Sequence, residues 1–345
     1  MIIDFHTHTF PDDVAERAVA KLRKSTHLPA YSDGTAEGLR KTSAEAGIGL
    51  SVILPVATAA RQVEHINDRA IRMNETEGSA DGRTEESACR LLSFGCMHPE
   101  YEQYREELRR IAQSGVPGIK LHPYFHGCDM DDIRYLRILD AAAENGLIVV
   151  THAGYDQGFP GQHNCSVPML RKVLRQVNGI TMVAAHMGGW KEWEEVPELL
   201  ADTGVYLDTC FSVGSLEAAE GEDAYWEVGH READPGMTSL AEQTAAERAA
   251  GGTEKNAVRP WEEYRETAKS RSVFGDLRLL DPDEFAKIVR AFPADHVLFA
   301  TDSPWSSAKK AVSFVQNAPL SDAEKESILG GAAEKLLAGK LQESA

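Results

Sequence analysis

The feature that most constrains this chain is an alternation of short apolar runs with longer stretches of helical period. The runs Ile2–Phe5, Leu50–Leu54, Leu91–Cys96, Gly118–Leu121, Leu147–Thr151, Thr181–Ala185, Val205–Asp208 and Val297–Thr301 predict eight strands. They are apolar on both faces, as strands buried in a parallel sheet are. Helix signals fill the gaps. Pro99 starts a predicted helix whose stripe is Tyr104, Leu108, Ile111 and Ala112, and Gly115 stops it. Ile133, Leu136, Leu139 and Ala143 repeat the stripe ahead of Gly146. Pro168 opens a third helix with Leu170, Val173, Leu174 and Val177, and Gly179 follows. Eight strands alternating with helices predict an α/β fold, a (β/α)8 TIM barrel. The competing arrangement, a doubly wound open sheet, lacks the GxGxxG turn that would follow its first strand.

Two stretches break the alternation. Residues 75–90 are polar and rich in Glu, Gly and Ser, and read as a flexible loop. Residues 211–272 form a long acidic insertion after the seventh strand, at the end of the barrel where active sites lie. Two readings stand for it. It is a solvated insertion with little order, or a cover over the active site anchored by Trp226, Trp261 and Tyr264. The whole chain, 1–345, reads as one domain with these two interruptions.

Composition narrows the partners. The formal net charge of −18 opposes a phosphate backbone, so nucleic acid is not an expected partner. Five cysteines (Cys89, Cys96, Cys128, Cys165 and Cys210), odd in number and without a CxxC, do not make a disulfide framework. A reducing compartment, the cytoplasm, is expected. No run approaches the roughly 18 apolar residues of a membrane span, and Met1–Phe5 already reads as strand rather than leader. A small-molecule substrate is the expected partner.

Side chains two apart on a strand share a face, so His6 and His8 project together into the barrel mouth. The same strand-end position recurs elsewhere. Lys120 and His122 occupy it after the fourth strand, His152 after the fifth, His186 after the sixth and Asp302 after the eighth. Polar residues at the C-terminal strand ends of a barrel form its active site. Any one of these histidines alone is more simply a satisfied core or loop residue. Four of them with an aspartate, each directly behind an apolar strand, are not. Three imidazoles and a carboxylate suit a borderline divalent ion, zinc first, with manganese or iron as alternatives. The set contains no cysteine, which points to a catalytic ion with room for water rather than a closed structural site. His27, His65, His126, His163, His230 and His296 have no such setting and are left unassigned.

Taken in order, DFHTH at 4–8, FGCMHPE at 94–100, GIKLHP at 118–123, THAG at 151–154, AHMGG at 185–189 and ATDSPW at 300–305 resemble the amidohydrolase superfamily. Within it they resemble the amidohydrolase-related group of TIM-barrel metal-dependent hydrolases. The closing LSDAEKESILGGAAEKLL is similar to that group's last helices, with Ala332 where asparagine is usual. The resemblance covers nearly the whole chain outside the two interruptions. It is specific for the superfamily and much less so for the substrate. It implies His6, His8 and His152 as metal ligands, Asp302 as a further ligand and proton shuttle, and His186 beside the substrate oxygen. Lys120 is left between two roles: a carboxylated bridge for two ions, or a partner for Asp302 or a substrate anion. One ion is preferred over two. His122 is a second candidate for holding a substrate anion, or a support for the ligands. The implied chemistry is activation of water by the cation, proton transfer through Asp302 and charge stabilisation by His186. Dimers are common in such barrels, but the oligomeric state is left open, with a homodimer as one candidate.

The first functional expectation is a hydrolase that cleaves a C–N or C–O bond of a small molecule: an amide, a lactone or a cyclic ester. The second, carried by the same resemblance, is metal-dependent, non-oxidative decarboxylation of an aromatic or unsaturated acid. That reaction wants an arginine for the carboxylate. No arginine has a clear place for it in the sequence: Arg61 follows the second strand but belongs as readily to the next helix. The third is a catalytically inactive metal-binding regulatory protein.

Overall fold

A computed structural model describes residues 1–26, 28–79, 89–214 and 277–343. Among the described residues nine short strands occupy eight barrel positions. They are β1 (Ile2–Thr7), β2 (Ile48–Ile53), β3 (Arg90–Ser93), β4 (Gly95–Cys96), β5 (Gly118–Leu121), β6 (Ile148–Thr151), β7 (Thr181–Ala184), β8 (Tyr206–Asp208) and β9 (Val297–Leu298). β1, β2 and β3 pair in parallel, and β4 through β9 pair in parallel in chain order. The two groups join where the chain runs from β3 through Phe94 into β4, and again where the last strand meets the first. There Phe5 N–H donates to Phe299 O at 2.9 Å, Asp302 N–H to His6 O at 2.9 Å and His8 N–H to Ser303 O at 2.7 Å. The fold is the expected (β/α)8 TIM barrel.

Three strands differ from the simple pattern, each for a local reason. The third predicted strand is split at Phe94. The helix Val63–Ser79 lays two side-chain amides over the break. Asn74 accepts from Ser93 N–H at 2.7 Å and donates to its carbonyl at 2.9 Å. Asn67 brackets Cys96 in the same way at 2.8 and 3.3 Å. These amides satisfy backbone groups that an unbroken ladder would have used. The last strand is regular only over Val297–Leu298, because the next three N–H groups go elsewhere. Phe299 donates to Ile328 O at 2.9 Å, Ala300 to Thr209 Oγ1 at 2.8 Å and Thr301 to Asp4 Oδ1 at 3.0 Å. In β1 the register with β2 slips: Asp4 faces Ser51 and Thr7 faces Ile53, so β1 takes three steps to the partner's two. Such a bulge re-aims the side chains it contains, and it lies directly at His6.

Ile3, Phe5, Val52, Leu54, Phe94, Ile148, Val150, Val183 and Leu298 come from strands all round the sheet and form one buried cluster, the barrel interior. Ala332, Ala333, Leu336 and Leu337 of the C-terminal helix Ala332–Glu343 pack into the same cluster. A larger cluster fills the layer between strands and helices. The helix stripes are partly as expected. Leu108 and Ile111 are buried, but their helix begins at Tyr104 rather than Pro99. In the helix Ile133–Glu144 the stripe is turned. Ile133 is exposed, and Tyr135, Ile138, Leu139 and Ala142 face inward. The Tyr135 hydroxyl is held by His126 Nδ1 at 2.5 Å, and that bond sets the buried face.

The flexible loop expected over 75–90 is corrected at both ends. Residues 75–79 complete the helix Val63–Ser79, where Glu77 pairs with Arg40 and accepts from Leu91 N–H at 3.1 Å, and Arg90 opens β3. Residues 80–88 lie outside the described residues. Of the insertion over 211–272, residues 211–214 are described; Phe211 and Val213 are buried at the barrel rim. Trp226, Trp261 and Tyr264 lie outside the described residues. Among the described residues no helix is long and apolar enough to cross a membrane.

Candidate active site

Seven side chains singled out from the sequence line one cavity of about 530 Å3: His6, His8, Lys120, His122, His152, His186 and Asp302. That volume suits a small organic molecule (about 300–1,000 Å3 is usual). His6 ends β1 and His8 lies just past it; their rings meet edge to face with centroids 5.1 Å apart. The bulge in β1 replaces the strict two-residue alternation, yet both rings still reach the mouth. The rings continue as a row: His6 to His186 is 5.9 Å, His186 to His152 4.5 Å and His152 to His122 4.7 Å between centroids.

Two of these residues sit in backbone conformations that side chains other than glycine rarely adopt. His186 has φ 57° and Asp302 has φ 67°. Each costs on the order of 1–2 kcal/mol and persists only where the surroundings hold it. Asp302 is held by its N–H on His6 O. His186 is held by its N–H on Asp208 Oδ1 at 3.1 Å and by Trp193 Nε1–H on its carbonyl at 2.8 Å. Below them Asp4 accepts from Thr301 Oγ1–H at 2.6 Å, Thr301 N–H at 3.0 Å and His6 N–H at 3.2 Å. Burial pushes the Asp4 carboxyl up to about 7 against those bonds.

The ring partners set the tautomers. A carbonyl can only accept, so a ring nitrogen bonded to one must carry the proton. His8 Nδ1–H donates to Leu54 O at 2.9 Å, His152 Nε2–H to Tyr155 O at 2.9 Å and His186 Nδ1–H to Cys210 O at 3.0 Å. His6 Nδ1 lies 2.9 Å from Asp208 Oδ2, a carboxylate that also accepts backbone N–H groups from His186 and Cys210. Each imidazole thus spends its proton on an outer partner and turns its other nitrogen, with a free lone pair, toward its neighbours in the cavity. His8 Nε2 lies 3.0 Å and His6 Nε2 3.6 Å from Asp302 Oδ1. His186 Nε2 and His152 Nδ1 lie 3.0 Å apart. Two facing lone pairs repel at that distance, a repulsion removed when either ring takes up a proton or when a cation binds His152. Outer acceptors that fix ring orientation are the usual setting of metal-binding histidines. The donor set therefore fits a divalent ion. With its proton committed to Cys210 O, His186 is an acceptor at Nε2 and donates there only when the ring is protonated.

Electrostatics point the same way. Burial, with Lys120 next, holds His6 well below its ordinary range. Burial, with neighbouring cationic groups, also lowers His152 and His122. Burial lowers His186 against the pull of Asp302 and Asp208. Neutral rings are the form that binds metal. Burial alone would raise Asp302, but the His8 contact, a hydrogen bond when Nε2 carries a proton, and positive charge on the nearby imidazoles outweigh it and leave the carboxyl below its usual range. Lys120 Nζ lies 3.2 Å from His6 Nε2, and burial lowers its pKa. His122 Nε2 lies 3.5 Å from Asp156 Oδ2, while its Nδ1 is buried without a hydrogen-bond partner among the described residues. Burial pushes Asp156 up to about 7.

Some site residues were not singled out from the sequence. Asp208, which orients His6, closes the seventh strand and had the same strand-end signal as the histidines. Asp156 and Tyr155 lie on the loop after β6 and carry no periodic signal. Arg61 is exposed on the short turn Ala60–Gln62 and is not part of the cavity wall. Arg69, on the helix Val63–Ser79, does line the cavity, with His65, Ile66 and Met73 on the same helical face and Gln62 just ahead of it. The apolar wall mixes aliphatic side chains with aromatic ones: Phe10, Phe125, Phe159, Trp190, Phe211 and Trp305.

The sequence profile of the family described as Amidohydrolase matches residues 3–338. No curated protein matches the chain. An uncharacterised TIM-barrel protein from Bordetella bronchiseptica superposes with a TM-score of 0.60 at 16% identity, over 98% of this chain and 99% of that one. The 5-carboxyvanillate decarboxylase of Sphingomonas paucimobilis gives 0.54 at 15% identity, over 98% of each chain. A dihydroxybenzoic acid decarboxylase from Polaromonas sp. JS666, solved with manganese and the inhibitor 2-nitroresorcinol, gives 0.54 at 15% identity, over 98% and 96%. At these identities the likeness is one of fold.

Proposed function

The chain belongs to the amidohydrolase family, and from that premise we propose that it is a metal-dependent, non-oxidative decarboxylase of a small aromatic or unsaturated carboxylic acid. The observation that carries this reading is Arg69. It lines the cavity, is only partly exposed and makes no ion pair among the described residues. A guanidinium on the cavity wall, without a carboxylate partner among the described residues, is suited to bind a substrate carboxylate in two-pronged fashion. Hydrolysis, the first expectation from the sequence, needs no such residue. The fold likeness to two proteins named as decarboxylases supports the same order.

His6, His8, His152 and Asp302 would hold the ion, with zinc the first choice. When bound, it supplies Lewis acidity toward a substrate oxygen. Arg69 grips the carboxylate, and Phe125, Trp190 and Phe211 pack the unsaturated part and keep water out. Asp302 starts ionised, takes up a proton and hands it to the substrate carbon. The carbon–carbon bond breaks with its electron pair left on that carbon, and carbon dioxide departs. His186 Nε2, an acceptor, orients a substrate hydroxyl.

The test is incubation of metal-loaded protein with panels of aromatic acids, lactones and amides. Carbon dioxide release is expected, with KM raised about 10–100-fold in Arg69→Ala, the loss of one charge-assisted bond. Acid formed with labelled oxygen from water would return the hydrolase reading. Tight metal binding without turnover on any panel would favour a regulatory protein.

A further inference from the structure

Among the buried groups that the proposed function does not use is the thiol of Cys210. Cys210 lies two residues past β8, at the same end of the barrel as the histidines. Its sulfur, one ring nitrogen of His6 and one carboxylate oxygen of Asp302 all lie within 4.8 Å of one another, and all three residues are buried. We propose that Cys210 is a ligand of the ion, so that the cage mixes imidazole, carboxylate and thiolate. The inference rests on the metal-centre reading and adds to it a donor absent from the set drawn from the sequence.

Geometry supports the assignment. With metal bonds of about 2.0–2.3 Å, donors around a tetrahedral ion lie roughly 3.3–3.7 Å apart. His6 Nε2 and Asp302 Oδ1 are 3.6 Å apart. The three donors come from the ends of β1, β8 and β9, which are neighbours in the closed barrel. Their backbones are tied: Cys210 N–H donates to Asp208 Oδ1 at 3.2 Å, and Asp302 N–H to His6 O at 2.9 Å.

The sulfur's contacts are those of an acceptor. His186 Nδ1, which carries its proton, lies 3.0 Å from Cys210 O and 3.2 Å from Cys210 Sγ. One N–H therefore serves both atoms, and the sulfur keeps lone pairs for another partner. A cysteine that merely fills space behaves as a small hydrophobe. Cys210 packs on Ala185 and Ala300, and burial, then Asp208 and Asp302, push its thiol well up against the opposing pull of Lys120, so the thiolate forms only with a cation to offset that cost. On binding, the S–H bond breaks, the proton leaves to solvent and the sulfur–metal bond forms. A thiolate softens the set and favours zinc or cobalt over manganese.

The experiment is cobalt loading of the full chain with optical spectroscopy. The visible d–d bands report bound cobalt whatever its ligands. A near-ultraviolet sulfur-to-cobalt charge-transfer band reports thiolate ligation. We expect both in the wild type, with the charge-transfer band lost in Cys210→Ser and kept in Cys165→Ser. Zinc affinity in Cys210→Ser should fall by at least about tenfold, the lower bound for losing even an outer partner, and manganese affinity by less. Where Cys210→Ser fails to fold, the cadmium NMR shift of the cadmium-loaded wild type decides, since sulfur ligation moves it far downfield. Bound cobalt without the charge-transfer band, the band surviving in Cys210→Ser, or a cadmium shift typical of nitrogen and oxygen donors alone would each overturn the proposal. No bound cobalt at all would overturn the metal-centre reading and the ligand assignment with it.

Discussion

Asp208 decides which nitrogen of His6 faces the cavity. Its Oδ2 holds His6 Nδ1 at 2.9 Å while its Oδ1 accepts the backbone N–H groups of His186 and Cys210. One carboxylate thus aligns three residues of the cage. Asp208→Asn keeps the shape but removes the charge and one acceptor. Metal affinity should fall about 10–100-fold, as for other outer partners of metal-bound histidine. Competition against a chromophoric chelator measures it, and an unchanged affinity would remove Asp208 from the site. At this scale the histidines were legible because each stands directly behind an apolar strand. Asp208 had the same position but stood in a motif with no imidazole. Arg69 was hidden in a helix, where arginine is ordinary on any exposed face. Its place at the cavity shows only when His65, Ile66, Arg69 and Met73 are seen to share one side of the helix Val63–Ser79.

At the scale of elements, side chains do much of the joining that strand pairing leaves undone. The amides of Asn67 and Asn74 bridge the break between β3 and β4, and no periodicity in the sequence announces such a break. His126, at the end of the short helix Pro123–His126, ties three elements together. Its Nε2–H donates to Ala57 O at 2.8 Å, and its Nδ1 accepts from the Tyr135 hydroxyl at 2.5 Å. Burial, with His98 adding to it, lowers its pKa to about 3 from an ordinary value of 6.5. Between those values the unfolded chain binds a proton that the folded chain does not. The stability His126 contributes is therefore present above pH 6.5 and lost as pH falls toward about 3. His126→Gln should be less stable at neutral pH by about 1–3 kcal/mol, the cost of leaving a buried partner unsatisfied. Its urea midpoint should also change less steeply on acidification than that of the wild type. Parallel slopes for the two proteins would show that His126 titrates alike folded and unfolded.

For the whole molecule, closure of the barrel and assembly of the cage are one event. The bond from Asp302 N–H to His6 O both joins the last strand to the first and sets Asp302 beside His6 and His8. An ion that binds only the closed barrel must stabilise it, by about 2.7 kcal/mol at a hundred times its Kd. The Tm should then rise by a few degrees with added zinc and fall back with chelator, a shift on the order of 1–2 °C per kcal/mol for a chain of 345 residues. Calorimetric scans at several zinc concentrations test this; a Tm indifferent to zinc would separate metal binding from folding. The sequence by itself determined the alternation of strand and helix, hence the barrel, and which strand ends carry imidazole or carboxylate, because periodicity and strand-end position are properties of neighbours along the chain. Only the tertiary structure decided the ring tautomers, the partnership of His6 with Asp208, the entry of Arg69 into the wall and the approach of Cys210 to the cage. The partnership of His6 with Asp208 alone needs atoms 202 residues apart to meet at 2.9 Å, and no local pattern encodes that meeting.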